Sequence, residues 1–251
     1  MVLEINNVSY QKNKKEILSH INFSVDKGIY AVLGSNGAGK STLLKVISTL
    51  LAPTEGAVTF HQKPVKNNKQ YLAAMSYMPQ NVGLIKEFDI VDNLHYFGLL
   101  KGCKDSELKI KISEIITDFD LDAVKNMTAY NLSGGVIQRI GIALSLLNAP
   151  AVLLLDEPFN SLDSSERNRL YSILRKISEN TTVIISTHLI AEIENAADEF
   201  ILMKDGAVTF KGNKHECIDG YMKSPDRIRE KNEDLDKTVF EEAVEYYTKY
   251  W

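Results

Sequence analysis

The chain predicts an α/β fold with a mostly parallel central sheet, an antiparallel β region near its start, and a helical insert. Two continuous apolar runs, "GIYAVLG" and "AVLLLDE", have the character of strands buried on both faces. Paired, roughly alternating runs precede them at the N-terminal end. Between them, from about Val82 to Asn148, apolar residues recur at helical spacing.

In order, "VLEINNVSY" and "ILSHINFSV" read as strands, and "GIYAVLG" as a buried strand ended by glycine. "KSTLLKVISTLL" reads as a helix, with "PTEG" as the turn that ends it. "GAVTFHQ" and "AAMSYMPQ" read as further strands. Asp89 is a candidate N-cap for "IVDNLHYFGLLKG", Asp105 for "SELKIKISEIITDF", and Ser133 for "SGGVIQRIGIALSLLN". Strands return as "AVLLLDE", "TTVIISTH" and "EFILMKDG", the last paired with "AVTFKG" through an Asp205-Gly206 hairpin step. The expected organisation is one α/β domain over residues 1–212, with the insert at about 82–150, and a charged C-terminal segment with a closing helix over 213–251. That helix places Phe240, Val244, Tyr247 and Trp251 on one face, packed against the body.

Composition bounds the function classes. Apolar residues make up 44% and charged residues 25%, as in ordinary globular proteins. The formal net charge of -4 argues against a general nucleic-acid binder, which needs a basic face. Cys103 and Cys217 lack metal-ligand spacing and read as reduced thiols. "MVLEINNVSYQ" has no basic flank or long apolar core, so no signal peptide is expected. "IALSLLNAPAVLLL" is too short and too interrupted to span a bilayer.

"GSNGAGKST" follows the first buried strand and opens a helix, and it matches G-x-x-x-x-G-K-[ST]. In such a P-loop, Gly34, Ser35, Asn36, Gly37, Ala38 and Gly39 let successive backbone N–H groups turn inward on an anion. The helix N-terminus adds its positive dipole end. Lys40 reaches the β- and γ-phosphates, the Ser41 hydroxyl binds Mg²⁺, and Thr42 donates to the α-phosphate. This pattern indicates nucleotide binding and leaves kinases, GTPases and ATPases open. Asp156 and Glu157 end "AVLLLDE", at the strand end where open α/β sheets place ligands. Asp156 suits Mg²⁺ as a hard oxygen ligand, and Glu157 suits polarisation of an attacking water. His188 ends "ISTH" and can contact the γ-phosphate. Three strand ends, at Gly34, Asp156 and His188, are expected in one crevice.

"LSGGVIQR", residues 132–139, together with "GSNGAGKST", "LLLDEP" and "STH" in this order, resembles the ATP-binding cassette family, the ATPase subunits of ABC transporters. The resemblance covers Val2 to Gly212. It implies the ABC ATPase fold, bound ATP and Mg²⁺, and coupling of hydrolysis to transport. It sets Tyr10 where an aromatic stacks on adenine, and Gln80 where a glutamine touches Mg²⁺ and senses the membrane partner. "NSLD", ending at Asp163, stands where a loop crosses the dimer interface. It implies an ATP-dependent head-to-tail homodimer in which Ser133, Gly134 and Gly135 of one copy clamp the γ-phosphate held by the other. Two positions depart from the family pattern: Val136 replaces a polar or long residue, and Ser161 replaces glycine.

The resemblance further implies separate transmembrane permease subunits, docked around Gln80 to Tyr96, and a cytoplasmic place on the inner face of the membrane. It is similar to the stand-alone exporters of peptide antibiotics or drugs. The alternative is a soluble cassette ATPase acting on nucleic acid or the ribosome. Those relatives usually carry two cassettes or a long coiled-coil insertion, and the interval between Gln80 and Ser133 leaves no room for one. A phosphotransferase using the same loop is the third class.

Overall fold

The computed structural model describes residues 3–224 and 238–249. Strands β1 (Leu3–Lys12), β2 (Lys15–Val25) and β3 (Gly28–Leu33) precede helix α1 (Lys40–Ile47). Then come β4 (Glu55–Phe60), β5 (Lys63–Pro64), α2 (Lys69–Ala74) and β6 (Met75–Met78). Helices α3 (Ile90–Leu100), α4 (Asp105–Asp118) and α5 (Gly134–Leu146) intervene before β7 (Val152–Asp156). The chain continues through α6 (Ser164–Ser178), β8 (Thr182–Thr187), the single turn α7 (Ile190–Ile193), β9 (Glu199–Lys204) and β10 (Ala207–Gly212). Helices α8 (Lys214–Met222) and α9 (Val239–Lys249) follow.

Among the described residues the strands form two sheets. The first is antiparallel at each pairing, in the order β2-β1-β4-β5. The second runs β10-β9-β3-β8-β7-β6, parallel throughout except for the β9–β10 hairpin. Its central strands are apolar at successive positions because both faces are covered. Ile29, Ala31 and Leu33 of β3 join one core with Leu153, Leu155, Val183 and Ile185 and the helices α3 to α6. The intervening Tyr30 and Val32 join a second core with α1 and the antiparallel sheet. The strand period of two thus divides one sheet between two cores.

Two of the three caps expected in the helical stretch hold, and the third does not. Asp89 caps α3 by accepting from the Asp92 N–H, and Ser133 caps α5 by accepting from the Val136 N–H. Asp105 is not a cap: Lys104 takes that position with extended backbone, and Asp105 is the first helical residue. Its carboxylate instead meets His95 Nε2 at 2.6 Å. Helix α1 ends sooner than its apolar pattern suggests, because Ser48 closes it and Thr49 turns left-handed at φ 65°. Ala73 and Ala74, expected in a strand, end α2. The Asn93 side chain is fully buried and accepts from Ile85 N–H while donating to the carbonyls of Ile85, Phe88 and Asp89. It thereby fixes the path of the loop that follows β6.

The Asp205-Gly206 step turns the β9–β10 hairpin with φ 46° and 83°, as a two-residue turn of this type requires. The hairpin also bridges the sheets. Gly206 N–H donates to the Ala38 carbonyl at 3.1 Å, and Ser19 N–H of β2 donates to the Gly206 carbonyl at 2.9 Å.

Phe240, Val244 and Tyr247 of α9 are buried against the body, as their spacing suggests; Trp251 lies outside the described residues. Phe240 packs at a tilt against Phe200 of β9 with ring centroids 4.6 Å apart, and the Tyr247 ring centroid lies 4.9 Å from that of Phe210 of β10. Cys217 is buried and free between these layers. Phe240→Ala empties a site next to the central sheet and should cost about 3–5 kcal/mol, to be read from urea unfolding midpoints.

Candidate functional site

The end of β3 enters the glycine-rich turn with little side-chain volume, and the structure gives the reason. A Cβ at Gly34 would lie 2.4 Å from the Met203 carbonyl oxygen of β9. Gly39 has φ 102°, and a Cβ there would stand 2.9 Å from Leu18 Cδ2 and 3.0 Å from the Ile17 carbonyl oxygen. The loop is pressed between the two sheets, so only glycine fits these turns. Ser35, Asn36 and Gly37 are exposed, and Ala38 is buried beneath them.

A cleft of about 520 Å³ opens over this loop. Asn36, Gly37, Gly39, Lys40, Ser41 and Thr42 line it on one side, with Gln80 and Glu157 at another. Lys15, Glu16 and Ile17 of β2 and the Asp205-Gly206 turn close the rest. Tyr10 does not line it; its half-buried ring sits on β1 against the second core.

The carboxylates occupy the end of β7. Asp156 is 2% exposed, and three hydroxyls donate to it: Ser41 Oγ at 2.9 Å, Ser186 Oγ, and Tyr77 Oη at 3.3 Å. Desolvation, reinforced by Asp156, pushes the Tyr77 phenol above its ordinary value, so it remains a donor. Ser41, Asp156 and the cleft-lining Gln80 supply hard oxygen atoms, a donor set suited to Mg²⁺, which takes few protein ligands beside phosphate oxygens.

Glu157 follows with its carboxylate 3.0 and 3.1 Å from His188 Nδ1. Its backbone is left-handed at φ 52°, an uncommon state for a non-glycine residue and one that clusters at functional sites. The carboxylate is nearly buried and His188 is exposed. A buried base paired with a solvent-facing imidazole can take a proton and hold a water. Lys40 is also buried, and its ammonium donates to the carbonyls of Gly34 at 2.7 Å and Ser35 at 3.2 Å. Burial lowers its proton affinity, opposed by the charges of Glu157 and Asp156.

The structure thus joins the three strand ends, with Gln80 alongside, and keeps the second glycine turn apart. Ser133 and Gly134 are exposed, and neither they nor Gly135 lines the cleft. Their turn is packed on the loop after β7: a Cβ at Gly135 would lie 2.7 Å from the Ser161 carbonyl oxygen. Ser161, where the family pattern has glycine, is left-handed at φ 63°. Asp163 also lies outside the cleft and caps α6 with Glu166 in a capping box. The Glu166 N–H bond to its carboxylate is the main reason that Asp163 titrates below the ordinary carboxylate range. Val136 packs against the first core, in keeping with its apolar side chain. Sequence reasoning did not anticipate Tyr77, Ser186 or Gln138. Each lies inside a stretch quoted above, Tyr77 in "AAMSYMPQ", Gln138 in "LSGGVIQR" and Ser186 in "ISTH", but its partner does not show there.

The profile of the family described as ABC transporter matches residues 18–160. The chain is 35% identical to the sulfate/thiosulfate import ATP-binding protein CysA of Pseudomonas putida, over 87% of this chain and 69% of that protein. It is 31% identical to the lantibiotic transport ATP-binding protein SrtF of Streptococcus pyogenes, over 82% of this chain and 89% of that protein. Other matched relatives are longer, and the chain spans 14% to 26% of their length. The fold superposes on the dimeric post-hydrolysis structure of the ATP-binding cassette MJ0796 bound to ADP and Pi, with TM-score 0.76 and 25% identity. That match covers 84% of this chain and 98% of the other.

Replacing Gly39 by alanine forces a Cβ into the gap below Leu18 and Ile17 at a φ that L residues avoid. Gly39→Ala should weaken ATP binding by at least about tenfold in a nucleotide titration.

Proposed function

The chain belongs to the ATP-binding subunits of ABC transporters, and on that ground we propose that it powers export through separate membrane subunits as a head-to-tail homodimer. The observation that carries the dimer is the separation of two anion-binding turns. One chain's P-loop cleft contains Lys40, Ser41 and Glu157, whereas its Ser133 turn faces solvent elsewhere. A second copy in opposite orientation can bring Ser133, Gly134 and Gly135 onto the γ-phosphate and Asp163 to the shared interface. The dimeric state named for MJ0796 supports this reading.

Within each site, the P-loop N–H groups and Thr42 hold the phosphates. Lys40 exchanges the Gly34 and Ser35 carbonyls for phosphate oxygens, and an anion there favours the charged form that burial opposes. Ser41, Asp156 and Gln80 would hold Mg²⁺, which would supply neutralisation of phosphate charge there. Glu157 accepts the proton of the attacking water as its oxygen bonds to γ-phosphorus and the β–γ bridge breaks. His188 orients that water and the γ-phosphate. Tyr10, which packs against the second core outside the cleft, would have to present its exposed face to the adenine to stack on it.

Export is favoured over import by coverage: the chain spans more of the lantibiotic transport relative than of the sulfate/thiosulfate import relative. No described helix is long and apolar enough to cross a membrane. The permease is placed near Gln80 and Tyr96, with the chain acting on the cytoplasmic face, a reading that the likeness to a transport ATP-binding protein supports.

Glu157→Gln should bind ATP, lose at least about a hundredfold in kcat and accumulate as an ATP-loaded dimer in size-exclusion chromatography; normal turnover would refute the assigned base. The chain should co-purify from membranes with a multi-span protein encoded beside it, identified by mass spectrometry. ATPase stimulation by nucleic acid or ribosomes, without such a partner, would reverse the assignment.

A further inference from the structure

The Gln138 side chain, 6% exposed, reaches from α5 to the end of β7, where its Nε2 donates to the Glu157 carbonyl oxygen at 3.0 Å. The same oxygen receives only a long bond from Asn160 N–H, 3.4 Å. On the other side of the residue, Glu157 N–H donates to the Ser186 carbonyl at 2.9 Å and lies 3.3 Å from Ser186 Oγ. Glu157 therefore sits between two hydrogen-bonded peptide groups at φ 52°.

That conformation is strained for a non-glycine residue and persists where the surroundings impose it. It also directs the side chain: β7 runs straight to Asp156, and the left-handed residue turns the carboxylate toward His188. A return to negative φ would redirect the carboxylate. The buried amide of Gln138 is the side-chain donor on the Glu157 carbonyl, and it stands five residues after Ser133 on the helix that Ser133 caps.

We propose that Gln138 is a positioning residue for hydrolysis, holding the strained Glu157 peptide so that the carboxylate faces the water site, and mechanically linking that carboxylate to the Ser133 turn. This rests on the reading of Glu157 as the base. Gln138 touches no phosphate; it acts through the Glu157 backbone.

The test compares Gln138→Met, Gln138→Glu and Glu157→Gln in the full chain, with MgATP as substrate. Gln138→Met removes the donor at similar volume. It should lower kcat by about tenfold while leaving KM within about twofold, because the ATP-gripping loop is untouched. Gln138→Glu sets a carboxylate against the carbonyl at high pH and a donating carboxylic acid when protonated, and burial raises its pKa. Its kcat relative to wild type should therefore rise at least about threefold between about pH 8 and about pH 6, a response that simple loss of packing does not produce.

Wild-type kcat in Gln138→Met would overturn the proposal, as would a pH-independent ratio for Gln138→Glu. If Glu157→Gln hydrolyses normally, the base assignment itself fails, and this inference with it. If Glu157→Gln is inactive while Gln138→Met is normal, only the role of Gln138 is lost.

Discussion

A buried carboxylate organises this structure. Asp156 is almost sealed from water, and an ion in such a place is tolerated only when its lone pairs are occupied. Hydroxyls from three elements occupy them: Ser41 on α1, Ser186 on β8 and Tyr77 on β6. The same contacts set the ends of neighbouring strands against the start of the phosphate-loop helix. Removing one donor would leave fewer partners for a carboxylate in a dry place, so the requirement reaches beyond the metal-binding role proposed for this residue.

The sheet makes this arrangement possible. Parallel strands all deliver their C-terminal ends to one edge, and the chain must leave that edge through loops. The P-loop, the Asp156-Glu157 pair and His188 are three such exits from β3, β7 and β8. Because the two faces of the sheet pack two different cores, a one-residue slip would hand each core the side chains shaped for the other. The positional accuracy of the site thus derives from hydrophobic packing well away from phosphate.

Much of this was legible in sequence, for identifiable reasons. "GIYAVLG" and "AVLLLDE" carry an apolar density that few environments other than a doubly covered strand accommodate. The P-loop is local backbone chemistry, so its residues announce it without tertiary help. Asp89 and Ser133 could be read as caps for the same reason. Asp105 could not be separated from Lys104, because the competing partner, His95, is distant in sequence. The end of α1 was obscured by apolar residues that continue past Ser48. Tyr77, Ser186 and Gln138 acquire meaning only through contacts across 79, 30 and 19 residues of chain. Hydrophobic periodicity carries no signal for such pairs. The left-handed backbone of Glu157 and Ser161 was equally hidden, since neither residue type advertises that conformation.

The β9–β10 hairpin, wedged between the Ala38 and Ser19 backbones, has a thermodynamic consequence. It splices the wall formed by β2 to the loop that grips phosphate, so both belong to a single stiff bracket before any nucleotide arrives. Little ordering entropy is then spent in assembling that bracket, and more of the contact free energy remains for docking a second copy.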